Sequence, residues 1–295
     1  MLLIAKDWTD YELIDAGEGE RLERWGKYIF VRPDPQVIWP RVKNSKLWEA
    51  PHAKYFRSSR GGGRWEKYRD FPERWQISYK NLSFTIRPTD FKHMGLFPEQ
   101  AVNWSWIERC IQTSPAPPKI LNLFAYTGGA TAAAASAGAE ICHVDSAKGM
   151  VSWAKDNLRL SGLSERPVRF IVDDVFKFVK RENRRKRKYD AIIMDPPSYG
   201  RGKSGETWKI EKYLLALIEE CMHILSKNPL FFLINSYTAG YSPLVLKNVL
   251  LSTVVSVYQG RVSEGEIALP VSGTSYVLPC GVFGRWEREK VKNQK

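Results

Sequence analysis

The sequence predicts an α/β fold: a doubly wound, mostly parallel sheet preceded by a smaller β-rich domain. Three observations carry this expectation. Strand-like apolar runs alternate with helical patterns from residue 120 to 235, as in βαβ units with helices on both faces of a sheet. The run 191–194 is short and wholly apolar, and Asp195-Pro196-Pro197 stops it at once. Prolines fix φ and lack an amide hydrogen, so a buried parallel strand must end there. The first 90 residues lack the alternation, and a stiff Thr-Ser-Pro-Ala-Pro-Pro linker (113–118) precedes the first βα unit. The expected division is therefore a β-rich domain at 1–90, a possible recognition module, and a main domain at 91–295.

Taken in order, 28–31 (Tyr-Ile-Phe-Val) is a short strand. Residues 57–63 (Arg-Ser-Ser-Arg-Gly-Gly-Gly) form a basic, flexible loop. Segments 76–80 and 82–86 are two strands of a hairpin turning near Lys80-Asn81. A helix follows over 98–112, with Pro98 in its first turn. Strands are expected at 120–124, 141–144, 168–172, 189–194 and 230–235, and helices at 129–138, 147–160, 175–183 and 206–225. The tail departs from the alternation. Runs 253–259 and 275–283, separated by Gly and Pro, read as an antiparallel edge. There is no internal repeat.

The chain has 295 residues, enough for about two domains with a sizeable core. Lys plus Arg number 45 against 32 Asp plus Glu, a formal charge of +13, which points to a polyanionic partner or simply to a basic soluble protein. Cys110, Cys142, Cys221 and Cys280 are far apart and none is in a CxxC arrangement, so neither a metal site nor a disulfide framework is expected. A cytoplasmic setting fits. No apolar run approaches the roughly 20 residues that span a bilayer.

In open α/β sheets, ligands bind beyond the carboxyl ends of the strands. The first βα turn reads Phe124-Ala-Tyr-Thr-Gly-Gly129. Its glycines let the backbone approach a ligand. Asp145 ends the second strand, where an acid accepts from ribose hydroxyls. Asp173-Asp174 ends the third, where an acid can take an adenine amino group. Each acid could instead merely cap a helix. A nicotinamide dinucleotide is the rival ligand, but Ala125-Tyr126-Thr127 occupies the space that a pyrophosphate needs in G-x-G-x-x-G. A nucleoside without bulky phosphates fits better, and S-adenosylmethionine is the common one. Asp195, Pro196, Pro197, Ser198 and Tyr199 then form a niche for a second, flat, hydrogen-bonding guest.

The segments 121–129 (Leu-Asn-Leu-Phe-Ala-Tyr-Thr-Gly-Gly), 143–146 (His-Val-Asp-Ser), 173–177 (Asp-Asp-Val-Phe-Lys) and 195–199 (Asp-Pro-Pro-Ser-Tyr) resemble, in order, the motifs of class I S-adenosylmethionine-dependent methyltransferases. The group most similar is that of the bacterial 23S ribosomal RNA cytosine-C5 and guanine-N7 methyltransferases. The block 91–100 (Phe-Lys-His-Met-Gly-Leu-Phe-Pro-Glu-Gln) looks like that group's segment before the first motif. The resemblance covers about residues 85–285. It implies a seven-stranded, Rossmann-like sheet with a reversed last hairpin. It also implies that Tyr126, Thr127 and Gly128 line the methionine part of S-adenosylmethionine, Asp145 binds its ribose and Asp174 its adenine, with Gln100 closing the pocket. Residues 1–85 do not match the group's usual RNA-binding domain.

Cytosine-C5 transfer needs a thiolate nucleophile. The positions where the group carries cysteines read Asp-Pro-Pro-Ser-Tyr and Asn235-Ser-Tyr-Thr238, so nitrogen methylation is the expectation. A nitrogen brings its own lone pair and needs mainly alignment. Asp195 and the Pro196 backbone would hold the base edge, with Tyr199 stacking on it. Residues 54–75 interleave Lys54, Arg57, Arg60, Arg64, Lys67, Arg69 and Arg74 with Tyr55, Phe56, Trp65, Tyr68, Phe71 and Trp75. That is either an RNA-binding pattern or a basic face over core aromatics. Segment 201–205 follows the signature and is placed to close over substrate. The basic run 180–188 reads as a solvated helix end, opposite the site. A protein or small-molecule substrate, or a non-catalytic RNA-binding assembly factor, remain the alternatives.

Overall fold

The computed structural model describes residues 1–43, 46–58, 62–201 and 207–289. Arg60 and most of the expected closing segment (202–205) lie outside the described residues. The strands are β1 (Leu2–Ile4), β2 (Tyr11–Gly17), β3 (Glu20–Trp25), β4 (Tyr28–Pro33), β5 (Ala53–Arg57), β6 (Gly63–Lys67), β7 (Trp75–Tyr79), β8 (Leu82–Ile86), β9 (Lys119–Leu123), β10 (Glu140–Asp145), β11 (Val168–Val172), β12 (Ala191–Met194), β13 (Tyr199–Arg201), β14 (Thr207–Lys209), β15 (Phe231–Ser236), β16 (Arg261–Pro270) and β17 (Val277–Glu287). The helices are α1 (Ala101–Gln112), α2 (Gly129–Ser136), α3 (Lys148–Leu160), α4 (Val175–Arg184), α5 (Ile210–Met222) and α6 (Pro243–Ser252).

The main sheet runs β1-β16-β17-β15-β12-β9-β10-β11. Its β15-β12-β9-β10-β11 half is parallel throughout, and β17 pairs antiparallel with both β15 and β16. The seven-stranded sheet with a reversed last hairpin that the resemblance implied is thus present, though not with every strand where the sequence placed it. The amino terminus adds an eighth, β1, with Leu2 opposite Glu266 and Ile4 opposite Ala268. Strand order reverses between β9 and β12, which puts the switch point, and the expected ligand crevice, at their carboxyl ends.

Two cores follow from the period of two along each strand. Ile120, Ile141, Ala191, Ile193 and Leu233 face one side with α1 and α2; Leu121, Leu123, Ile192, Met194 and Ile234 face the other, against α4, α5 and α6. Both faces being apolar is why these strands read as continuous hydrophobic runs.

Residues 11–67 form a separate five-stranded sheet, β2-β3-β4-β5-β6, and β7 and β8 the expected hairpin, with Lys80 in the left-handed region at φ 53°. These elements do not stand apart from the main sheet. Tyr11, Trp25, Phe30, Ile77 and Phe84 share one core cluster with Trp104 and Ile120. The Trp8 indole N–H donates to the Pro98 carbonyl at 2.9 Å.

The tail corrects one expectation. Residues 253–259 are not a strand but the turn that ends α6, with the Val255 amide donating to Leu250 O at 3.0 Å and Tyr258 to Val254 O at 2.8 Å. The β-branched run packs into the second core, so its strand propensity is overridden by burial beside α6. The partner of the last strand is instead β16, flanked by β1 and β17, whose glutamates Glu264 and Glu266 interrupt the apolar alternation and hid it. Among the described residues no helix is long and apolar enough to cross a membrane, and no cluster of His, Cys, Asp or Glu could hold a metal ion.

Candidate active site

The β9 turn is wound tightly. Phe124 (φ 54°), Tyr126 (φ 49°) and Gly128 (φ 84°) all take positive φ, a conformation that non-glycine residues hold only when their surroundings over-determine it. Those surroundings are visible. The Tyr126 amide donates to Asp145 Oδ2 at 2.9 Å, the Thr127 hydroxyl to Gly95 O at 2.5 Å, and the Asn157 side chain to Thr127 O at 2.9 Å. Gly128 is required twice over: its φ is left-handed, and a Cβ there would sit 2.9 Å from Ala154 Cβ on α3.

Asp145 ends β10 with both oxygens on main-chain amides, Tyr126 N and Ala147 N, each at 2.9 Å. Burial raises its pKa while the two amides act to lower it. Val172, the last residue of β11, lies opposite Asp145 in the ladder and is 44% exposed. An exposed valine beside a fixed carboxylate gives an apolar face next to a hydroxyl acceptor, which suits a nucleoside. Sequence reading passed over Val172 because it looks like any strand residue. Asp174 caps α4, accepting from Lys177 N at 2.9 Å through Oδ1, so the capping role weighed from sequence is real. Asp173 turns to Arg181 instead. The basic run beyond it is the expected helix end: Arg185 pairs with Glu182, and Lys188 donates to His223 O.

Gln100 is buried and donates through Nε2 to the Tyr237 hydroxyl at 2.7 Å. Its Oε1 accepts from Asn103 at 2.8 Å, and Asn103 in turn donates to Asn235 and accepts from Arg285 Nε at 3.0 Å. Phe97 lies 5.5 Å from the rings of both Tyr126 and Tyr237. The block 91–100 therefore ties the β9 turn to the end of β15.

Asp195 sits across the switch point from this scaffold. Among the described residues no hydrogen bond or ion pair reaches its carboxylate. Burial pushes its pKa up to about 7, and Glu99, itself buried and raised by burial, adds to the shift. Tyr237 is raised by burial and then by the same two acids. Glu99 and Tyr237 are site residues that sequence reading missed. Their only signal was adjacency, Glu99 to Gln100 and Tyr237 to the end of a predicted strand.

Pro196 is buried, whereas Pro197, Ser198 and Tyr199 are exposed. Trp208 Nε1 donates to Pro197 O at 2.7 Å, and the Ser198 hydroxyl meets that of Thr238 at 2.7 Å. The segment after the prolines is a hairpin, β13 paired with β14, Tyr199 opposite Lys209, with the Tyr199 side chain 49% exposed. The helix expected from 206 accordingly starts only at Ile210.

The antiparallel last strand brings Cys280 to the same edge. Val282 pairs with Ser236, so Cys280 lies beyond the carboxyl end of β15. Burial, with Glu99 beside it, holds its thiol well above the usual range although Arg21 opposes the shift.

The basic and aromatic stretch 54–75 divides. Tyr55 is buried, and Trp65, Phe71 and Trp75 pack around Phe30 at 5.7, 5.2 and 5.5 Å. Phe56 and Tyr68 remain exposed. Lys54 and Lys67 pair with Glu20 and Asp70.

A family profile described as S-adenosylmethionine-dependent methyltransferase matches residues 57–244. The solved structure of a SAM-dependent methyltransferase from Agrobacterium tumefaciens is 36% identical, with TM-score 0.92 over 98% of this chain and 94% of that one. Among curated proteins, the ribosomal RNA large subunit methyltransferase K/L of Syntrophotalea carbinolica is 34% identical over 152 residues, 51% of this chain and 20% of the relative. That of Hahella chejuensis is 34% identical over 145 residues, 48% and 19%. The chain thus spans about one fifth of the length of these curated relatives. The positive-φ turn, the anchored acid of β10 and the family profile agree: the chain belongs to the S-adenosylmethionine-dependent methyltransferases.

Proposed function

We propose that this methyltransferase acts on a nitrogen of a ribosomal RNA base. The observation that carries the reading is Asp195, a carboxylate at the switch point that no donor among the described residues anchors and whose pKa burial pushes up to about 7. Such a group is free to accept a ring or amino N–H from a base and to take its proton near neutral pH. Tyr126, Thr127, Gly128, Asp145, Asp174 and Gln100 would hold the cofactor, which supplies an electrophilic methyl group. The rest of the reaction falls to the chain: Asp195 and the Pro196 carbonyl orient the base edge, and Tyr199 offers a ring for stacking. The curated relatives are named for ribosomal RNA, and the +13 charge suits that partner. The β-rich residues 1–90 would contribute to its recognition.

Cys280 at the same edge favours a second reading, cytosine-C5 transfer. Attack on a pyrimidine requires a thiolate, and a half-buried thiol raised well above its usual range is a poor one. Nitrogen transfer therefore stands first. Mass spectrometry of rRNA nucleosides from cells with and without the protein separates the two. Loss of an N-methylated base supports the proposal, loss of 5-methylcytidine transfers the role to Cys280, and an unchanged spectrum removes rRNA as the substrate.

A further inference from the structure

A groove of about 790 Å³ runs between the β7–β8 hairpin and α3, outside the cofactor crevice. Three guanidiniums line it, Arg74, Arg87 and Arg159, against a single carboxylate, Asp156, among the described residues. Their states differ. Arg159 pairs with Asp156 at 3.0 Å on the exposed face of α3, and Arg74 lies 3.9 Å from the exposed Glu73. Exposed pairs of this kind are weak and exchange readily. Arg87 is different: its guanidinium lies 4.5 Å over the Trp153 ring, and among the described residues no carboxylate pairs with it. Stacking fixes the plane of a guanidinium and leaves its N–H edge for a bidentate acceptor.

The floor of the groove is rigid and joins the cofactor turn. Trp153 Nε1 donates to Thr85 O at 3.1 Å. A Cβ on Gly95 would lie 2.2 Å from the Trp153 ring, and the Gly95 carbonyl takes the Thr127 hydroxyl. Gly149, in the first turn of α3 just past Asp145, lines the groove at its upper end, and Leu160 at its lower. At 1.5 Å per residue that is about 17 Å of helix, room for several phosphates.

We propose that this groove seats the phosphate backbone of the RNA substrate, with Arg87 as its fixed anchor and Arg74 and Arg159 as mobile contacts. The inference rests on the RNA reading above and adds where the strand leaves the active edge. Its arginines act on affinity and position, not on the transfer step.

The test is fluorescence anisotropy with a labelled single-stranded RNA of roughly 20 nucleotides, titrated across salt, for wild type, Arg87→Gln, and the exposed pair Arg74→Gln/Arg159→Gln. Each lost phosphate contact should lower the log K against log [salt] slope by about 0.7 and weaken binding about 5-fold near 0.1 M salt. Calorimetric S-adenosylmethionine affinity should stay at the wild-type value. Should Arg87→Gln disturb packing on Trp153, the exposed pair carries the test alone. Wild-type RNA binding with unchanged slopes in both variants overturns the groove and leaves the RNA reading standing. Absence of salt-dependent RNA binding by wild type overturns both.

Discussion

On the β9–β11 side of the switch point, Asp145 and Asp174 are held by main-chain amides. On the β12–β15 side, burial raises Asp195 and Tyr237, and the buried Glu99 raises both further. An amide-anchored acid has its geometry set before ligand arrives, which would suit the proposed cofactor role, the same in every turnover. An acid near pKa 7 that no described residue anchors can change its proton inventory during a cycle, which would suit the proposed substrate role. The same sheet edge thus carries a pre-organised half and a titratable half.

The largest effect should come from the titratable half. Asp195→Asn is expected to lower kcat by about 100-fold or more, with S-adenosylmethionine affinity near wild type. For wild type, kcat/KM should climb with pH and level off above about 7 as Asp195 ionises; the variant should lack that limb. Stability should move the other way. The unfolded carboxyl titrates near 3.9 and the folded one at about 7, so the native state retains the proton and loses stability as pH rises through that window. Asp195→Asn should therefore melt above wild type at pH 8, with the gap closing toward pH 4. A variant with full turnover and an unchanged melting profile would erase the distinction between the two halves.

Next comes the pre-organised half. Asp145→Ala removes a charged acceptor and the partner of two amides. Losing such an acceptor costs about 1.5–3 kcal/mol, or roughly 10- to 150-fold in S-adenosylmethionine affinity by calorimetry. Unchanged affinity would remove Asp145 from the cofactor site. Smallest is Tyr199→Ala. A stacked base is worth about 1–3 kcal/mol, so RNA turnover should fall several-fold or more while cofactor affinity holds. Retained turnover would make Tyr199 a hairpin residue only, consistent with its half-exposed position opposite Lys209.

Legibility followed the range of the interactions. The β9 turn, Asp145, Asp174 and the Asp-Pro-Pro stop were readable because each is announced within a few residues of itself, by an apolar run and what ends it. The Lys80 hairpin was readable for the same reason. Thr127 was legible as part of the turn, yet its hydroxyl bonds to Gly95, 32 positions away. The aromatics of 54–75 could not be divided between core and surface from order alone, because that depends on where Phe30 lies.

By itself, then, the sequence determined the parallel sheet, its alternation of strands and helices and the row of acids at its carboxyl edge, since strand periodicity and proline or glycine stops are local properties of the backbone. Tertiary structure alone decided that β1 joins β16, that Arg285 reaches Asn103 across 182 positions, that Glu99 shifts Asp195, and that Arg87 stacks on Trp153 above a groove. The physical reason is that pKa and groove shape arise from desolvation and contact between segments distant in the chain, and no local pattern encodes which segment will supply the neighbour.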